Sequence, residues 1–207
     1  MQKLTFIGDV HGKIPAYRRL LLRFTEPTIQ VGDMGIGFSK TIPLDEESPM
    51  DPKDRWFDGN HDDIEVCKKS PGYLGRYGVT QEGVFFAGGA FSVDSFFRTP
   101  GVDWWHTEQM NQYEMMEALQ LYSDTKADIV ATHDCPRSIY PIMLERRFGH
   151  TNVPFYENNT ANLLDMMLDI RKPKVWVFGH WHRHMDFEYK GVRFVCVDEL
   201  QPITLEF

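Results

Sequence analysis

Short runs rich in β-branched and aromatic residues recur along the chain, most of them ending at a glycine-containing turn: Leu4 to Ile7, Thr28 to Val31, Arg55 to Phe57, Val84 to Ala87, Asp128 to Thr132 and Val175 to Phe178. These runs predict strands. Between them, apolar positions recur every three or four residues. That spacing predicts helices over Pro15 to Phe24, over Gln112 to Tyr122 and, after a capping-type Asn159-Thr160, over Ala161 to Ile170. In the second of these, Met115, Met116, Leu119 and Tyr122 fall on one side. Past Asp186 the helical spacing stops. Phe187 to Tyr189, a Lys190-Gly191 turn, Arg193 to Val197 and Ile203 to Phe207 predict an antiparallel run that closes a sheet. The expected fold is α/β: two packed sheets in a mixed β-sandwich, flanked by helices.

The stretch 36–55 breaks the pattern. It holds Pro43, Pro49 and Pro52 with Asp45, Glu46, Glu47, Asp51 and Asp54, the composition of a mobile surface insertion. The 207 residues otherwise suit a single domain over 1–207 with a sizeable core. Apolar runs are short and broken by charge, far from the ~20 residues that span a bilayer. Residues 1–7 read as a first strand rather than an export signal. Cys67, Cys135 and Cys196 are odd in number and widely spaced, which excludes a disulfide framework and points to a reducing, cytoplasmic setting. The formal charge is −8 without a dense Lys/Arg block, so binding to bulk duplex nucleic acid is not expected.

An acidic chain can still hold a phosphate if metal ions locally outweigh its own charge, and residues able to bind metal stand where the strands end. In order these are Gly8-Asp9-Val10-His11-Gly12, Gly32-Asp33-Met34-Gly35, Gly59-Asn60-His61-Asp62, Thr132-His133 and Gly179-His180-Trp181-His182. Strand ends of an open sheet aim side chains into a shared crevice. Residues two apart in an extended segment point the same way, so Asp9 with His11, and His180 with His182, can each face one site. That span suits two metals bridged by a carboxylate, for which Asp33 is the natural choice. Turns alone favour Gly, Asp and Asn, but not this set of histidines and carboxylates.

At these residues the sequence resembles the calcineurin-like metallophosphoesterase family, whose pattern is Asp-x-His, Gly-Asp, Gly-Asn-His-Asp/Glu, a later His and Gly-His-x-His. The resemblance runs from Gly8 to His182. It implies that Asp9, His11 and His182 hold one metal, that Asn60, His133 and His180 hold the second, and that Asp33 bridges them. It leaves His61 free near the leaving group, with Asp62 a candidate to orient it. It also implies hydrolysis of a phosphomonoester or phosphodiester by in-line attack of a metal-bound hydroxide. Protein phosphatases of the family carry Asp-Arg-Gly after the second motif, where Gly35-Ile36-Gly37 stands here. Purple acid phosphatases carry a ligand Tyr where Ile36 stands. These departures argue against both subfamilies, and the Gly-His-Trp-His ending resembles the broad phosphatase and phosphodiesterase branch.

The mixed nitrogen and oxygen donors suit two divalent ions, Mn2+ first, with Zn2+, Fe, Co2+ or Ni2+ as alternatives. The expected partner is a small phosphate ester, nucleotides among the candidates. A nuclease acting on short or single-stranded nucleic acid is the rival enzyme, and a non-catalytic scaffold of the same fold the rival from another class. His106, His150 and His184 read as exposed histidines, Cys135 as a small buried thiol, and Asp134 as a cap or orienting group. Phe91 to His106 reads either as a packed loop or as a pocket wall in which Arg98 contacts phosphate and Trp105 stacks on the substrate.

Overall fold

The computed structural model describes residues 2–38, 50–153 and 157–207. Ten strands form two sheets. The first holds β1 (Lys3–Ile7), β2 (Thr28–Val31), β3 (Asp54–Phe57) and β10 (Pro202–Glu206), in the order β10-β1-β2-β3. The second holds β4 (Tyr77–Val79), β5 (Val84–Ala87), β6 (Ile129–Thr132), β7 (Val175–Phe178), β8 (Met185–Tyr189) and β9 (Val192–Cys196), in the order β4-β5-β6-β7-β9-β8. The strands β1, β2 and β3 run parallel, as do β5, β6, β7 and β9, with antiparallel strands at the edges. Both sheets are therefore mixed.

Alternation along each strand decides which layer a side chain joins. Leu4, Phe6, Ile29 and Val31 of one sheet meet Val84, Phe86, Val177 and Val195 of the other, forming the layer between the sheets. Their neighbours point outward, and helices cover them. Phe85, Trp176 and Phe194 pack with α3 (Gln112–Thr125), α4 (Tyr140–Phe148) and α5 (Asn159–Ile170). Ile7 and Trp56 pack with α1 (Ile14–Leu21) and with Cys67 of α2 (Ile64–Cys67). Full burial of such a side chain stabilises by roughly 1.5–3 kcal/mol, so most of the drive for this layering lies in these clusters.

Several sequence expectations are corrected. Phe187 to Phe207 does not close one sheet: β8 and β9 form the expected hairpin, with positive φ at Lys190 and Gly191, but β10 crosses to pair with β1 in the other sheet. Met116 is 71% exposed, and the buried side of α3 is Ala118 and Tyr122. The cap of α5 is Asn158, whose side chain accepts from the Ala161 amide, one residue before the expected pair. The sequence reading also missed β4, α2 and α4. Within 36–55, residues 39–49 lie outside the described residues, while Ile36 is buried and Asp54 opens β3. Among the described residues no helix is long and apolar enough to cross a membrane.

Candidate metal centre

Five parallel strands end at one place. Asp9 follows β1, Asp33 follows β2, Asn60 follows β3, His133 follows β6 and His180 follows β7. The loops after β1 and β2 are tied together, since the amides of Val10 and His11 both donate to the Asp33 carbonyl at 2.9 Å. Four of the seven expected ligands have left-handed backbone: His11 (φ 48°), Asp33 (58°), His180 (63°) and His182 (45°). Such conformations cost roughly 1–3 kcal/mol each and persist where the surroundings enforce them, which is typical of functional sites. The extended backbone expected for these segments is corrected: His11, His180 and His182 are left-handed, although Asp9 and His11 still face the same group of donors. The side chains converge because the chain turns at these residues.

They converge as two groups that share one carboxylate. Asp9, His11, Asp33 and His182 form the first, and Asp33, His133 and His180 the second, the donor atoms of each group lying within 4.8 Å of one another. His180 and His182 therefore part company, one to each group. Nε2 of His133 lies 3.2 Å from Oδ1 of Asp33 and 3.1 Å from Oδ1 of Asn60, which places Asn60 in the second group. Two further contacts aim these ligands. Nδ1 of His133 donates to the Val31 carbonyl at 2.9 Å, leaving Nε2 for the site, and the Asn60 amide donates to Ser92 Oγ at 2.9 Å, leaving its oxygen.

A divalent cation fits this arrangement. Oδ2 of Asp9 is buried without a hydrogen-bond partner, although Nε2 of His182 stands 2.9 Å away. Nε2 of His11 and Nε2 of His182 also face each other at 2.9 Å. Lone pairs aimed at a common point are satisfied by a shared positive charge, and the donors are the mixed nitrogen and oxygen type that transition metals favour. Protons stand in for that charge. Burial opposes a charge on His133, yet Asp33 beside it carries the imidazole up to about 10. Burial likewise opposes the charges of Asp9 and Asp33, but the facing histidines hold both carboxyls below the usual range.

The glycines of the motifs make room for this packing. A Cβ on Gly59 would collide with the Asp33 carboxylate and lie 2.7 Å from Nε2 of His133, and one on Gly179 would collide with the Asp9 carboxylate.

His61 lies at the edge of the centre. Its amide donates to Oδ1 of Asp33 at 2.8 Å, and its ring stands edge-on to His11, with centroids 5.1 Å apart. Burial, with Arg98 adding to it, lowers the imidazole to about 4. Asp62 does not orient this ring. Its carboxylate is buried and accepts from the amides of Met34 (3.1 Å), Gly35 (2.7 Å), Ile36 (2.9 Å) and Gly59 (2.8 Å), which pins the loop after β3 to the loop after β2. Burial and the nearby Asp33 push this carboxyl up to about 7, against the pull of those amides.

A cavity of about 630 Å3 opens over the centre. Arg98 lines it, held by Asp94 at 2.7 and 2.8 Å. Trp105 does not. It is 8% exposed and packs edge-on against Phe38, whose ring also stacks on His61. The loop 91–106 is thus a wall at Arg98 and a packed segment at Trp105. The opposite wall is α4 with Trp181, which the sequence reading did not find. Signals for α4 were present in Pro141 at its start and Gly149 (φ 74°) just past its end. Asp134 organises this wall by accepting from the Trp181 indole at 3.1 Å and from the Tyr140 hydroxyl. His106, His150 and His184 are exposed and Cys135 is buried, as expected.

Two mixed sheets under helices, with two donor groups able to hold metal where the strands end, define a metallophosphoesterase architecture. The chain belongs to the calcineurin-like phosphoesterase family, whose model matches residues 2–184. Membership implies a metal-binding phosphoric ester hydrolase. Among solved structures, a Thermus thermophilus protein superposes with a TM-score of 0.55 at 10% identity, covering 96% of this chain and 90% of its own. It shares the fold. The phosphopantetheinyl hydrolase of Mycobacterium tuberculosis gives 0.48 at 16% identity over 96% and 90%. No curated protein matches the sequence.

Proposed function

We propose that the protein hydrolyses a phosphate mono- or diester with two divalent ions. The first would be held by Asp9, His11 and His182, the second by Asn60, His133 and His180, with Asp33 common to both. The observation that carries this reading is the membership of Asp33 in both donor groups. Such a pair of ions supplies a water activated near neutral pH and neutralises charge on the phosphoryl oxygens.

The protein's own groups complete the site. Arg98 offers guanidinium donors to a phosphoryl oxygen in the cavity. His61, largely neutral at pH 7 by its lowered pKa, offers a ring N–H hydrogen bond to the departing oxygen. Buried Asp62 keeps the His61 loop in register with Asp33.

The test is a Mn2+-supplemented screen of phosphomonoesters, diesters and nucleotides, with metal content measured in parallel. Asp33→Asn is expected to lower both metal content and turnover. Full activity in that variant, or hydrolysis that survives complete metal removal, would overturn the reading.

A further inference from the structure

The cavity extends well beyond the metal centre. From the centre it runs along α4, where Tyr140, Leu144 and Phe148 follow one another at four-residue spacing and so lie on a single face of the helix. At 1.5 Å per residue this ridge is about 12 Å long. It begins at Tyr140, 2% exposed, and ends at Phe148, 57% exposed, so it leads from the depth of the site to its mouth. Val93 lines the cavity too and is 63% exposed.

At the inner end of this wall the polar atoms of Tyr140 and Trp181 are engaged with buried partners. The Tyr140 hydroxyl donates to Asp134 and accepts from the Asn158 amide at 2.8 Å. The Trp181 indole N–H donates to the other oxygen of Asp134 at 3.1 Å. Asp134 is fully buried, and the two rings stand edge-on with centroids 5.1 Å apart. Arg147 donates to the Trp181 carbonyl. Tyr140, Leu144 and Trp181 present carbon to an occupant, while Arg147 and His150 flank the Phe148 ring at the mouth. A substrate hydroxyl lying against Tyr140, Leu144 and Trp181 would give up water without gaining a partner, whereas a hydrocarbon group would be favoured by leaving water.

Building on the proposed hydrolase reading, we infer that the organic part of the ester is apolar, an alkyl chain or aromatic group seated along the Tyr140-Leu144-Phe148 ridge, while its phosphate sits at the metal centre. Sugar phosphates and other polyhydroxylated esters are then poor substrates. Each fully buried methylene contributes roughly fourfold in affinity, so partial burial of a six-carbon chain yields on the order of 10- to 100-fold over one carbon.

The test is calorimetry on the Mn2+-loaded full chain with methylphosphonate, hexylphosphonate and a polyhydroxylated alkylphosphonate of similar length, beside hydrolysis assays on methyl and hexyl phosphate. Hexylphosphonate is expected to bind at least tenfold tighter than methylphosphonate, and the hydroxylated ligand no tighter than methylphosphonate. Phe148→Ser, at an exposed position, is expected to cut the hexyl-to-methyl ratio at least threefold. Equal binding of all three ligands, or a ratio unmoved by Phe148→Ser, overturns the inference. If the esters are hydrolysed without a gain from chain length, the inference falls and the hydrolase reading stands. If hexylphosphonate binds tighter but no ester is cleaved, the apolar ridge stands and the hydrolase reading falls. Absence of both binding and cleavage removes both.

Discussion

The guanidinium of Arg98 lies against the His61 imidazole, with its two terminal nitrogens 3.1 Å from the two ring nitrogens. A fixed cation there disfavours a second positive charge on the ring, adding to the effect of burial. Replacing Arg98 with alanine is expected to raise the His61 pKa from about 4, read by NMR titration of the metal-free protein. It is also expected to lower kcat/KM by ~10- to 1,000-fold, the range for losing one donor to a transition state. An unchanged titration and unchanged kinetics would remove Arg98 from the site.

Gly59 has no room for a side chain. In Gly59→Ala the new methyl group collides with the Asp33 carboxylate, the Asp33 backbone nitrogen and the His133 ring, and both residues belong to the second donor group. Metal content measured on the purified variant should drop below that of the parent protein, with activity falling in proportion. Parent-level metal binding would show that the centre tolerates a shift of about an ångström.

Asp62→Asn distinguishes a structural tie from a proton donor. The substitution puts an amide N–H2 group among the four backbone donors that Asp62 accepts from, so melting temperature should fall, with a loss on the order of 3 kcal/mol. The pH dependence of the remaining activity should keep its shape. A lost limb in that profile would make Asp62 a titrating participant instead.

Without metal, stability should depend on pH with a definite sign. The His133 pKa is raised from 6.5 to about 10, so the stability it contributes is complete below 6.5 and is lost as pH rises through about 10. Asp9 and Asp33 are depressed below 3.8, so their contribution is present above that value and is lost as pH falls through their folded pKa values. Metal-stripped protein should therefore lose stability as pH rises from about 6.5 toward 10. Bound metal displaces the His133 proton, so adding Mn2+ at pH 7 should release protons, seen as a dependence of binding heat on the buffer's ionisation enthalpy. No proton release would refute the His133 assignment.

Most strands were legible because their alternation is local: β2, β5 and β7 stand where the pattern of Thr28 to Val31, Val84 to Ala87 and Val175 to Phe178 placed them. The short strand β4 carries Gly78 and little apolar signal, and α2 is only four residues long, so neither shows in a periodicity. Whether β10 joins the first or the second sheet is a choice between distant partners, on which local pattern is silent.

The residue types at the strand ends were set by the sequence alone: carboxylates, an amide and imidazoles beside glycines, enough to name the metal chemistry and the family resemblance. Tertiary structure decided how those groups reach one another, through left-handed turns, and that Asp62 faces backbone amides rather than His61. It also decided the character of the far wall, because only in space do Tyr140 and Trp181 reach the same buried Asp134 and turn their carbon faces to the cavity. Residue chemistry is written position by position. Direction is not, since it depends on left-handed turns and on contacts between segments more than a hundred residues apart, such as His133 with Val31.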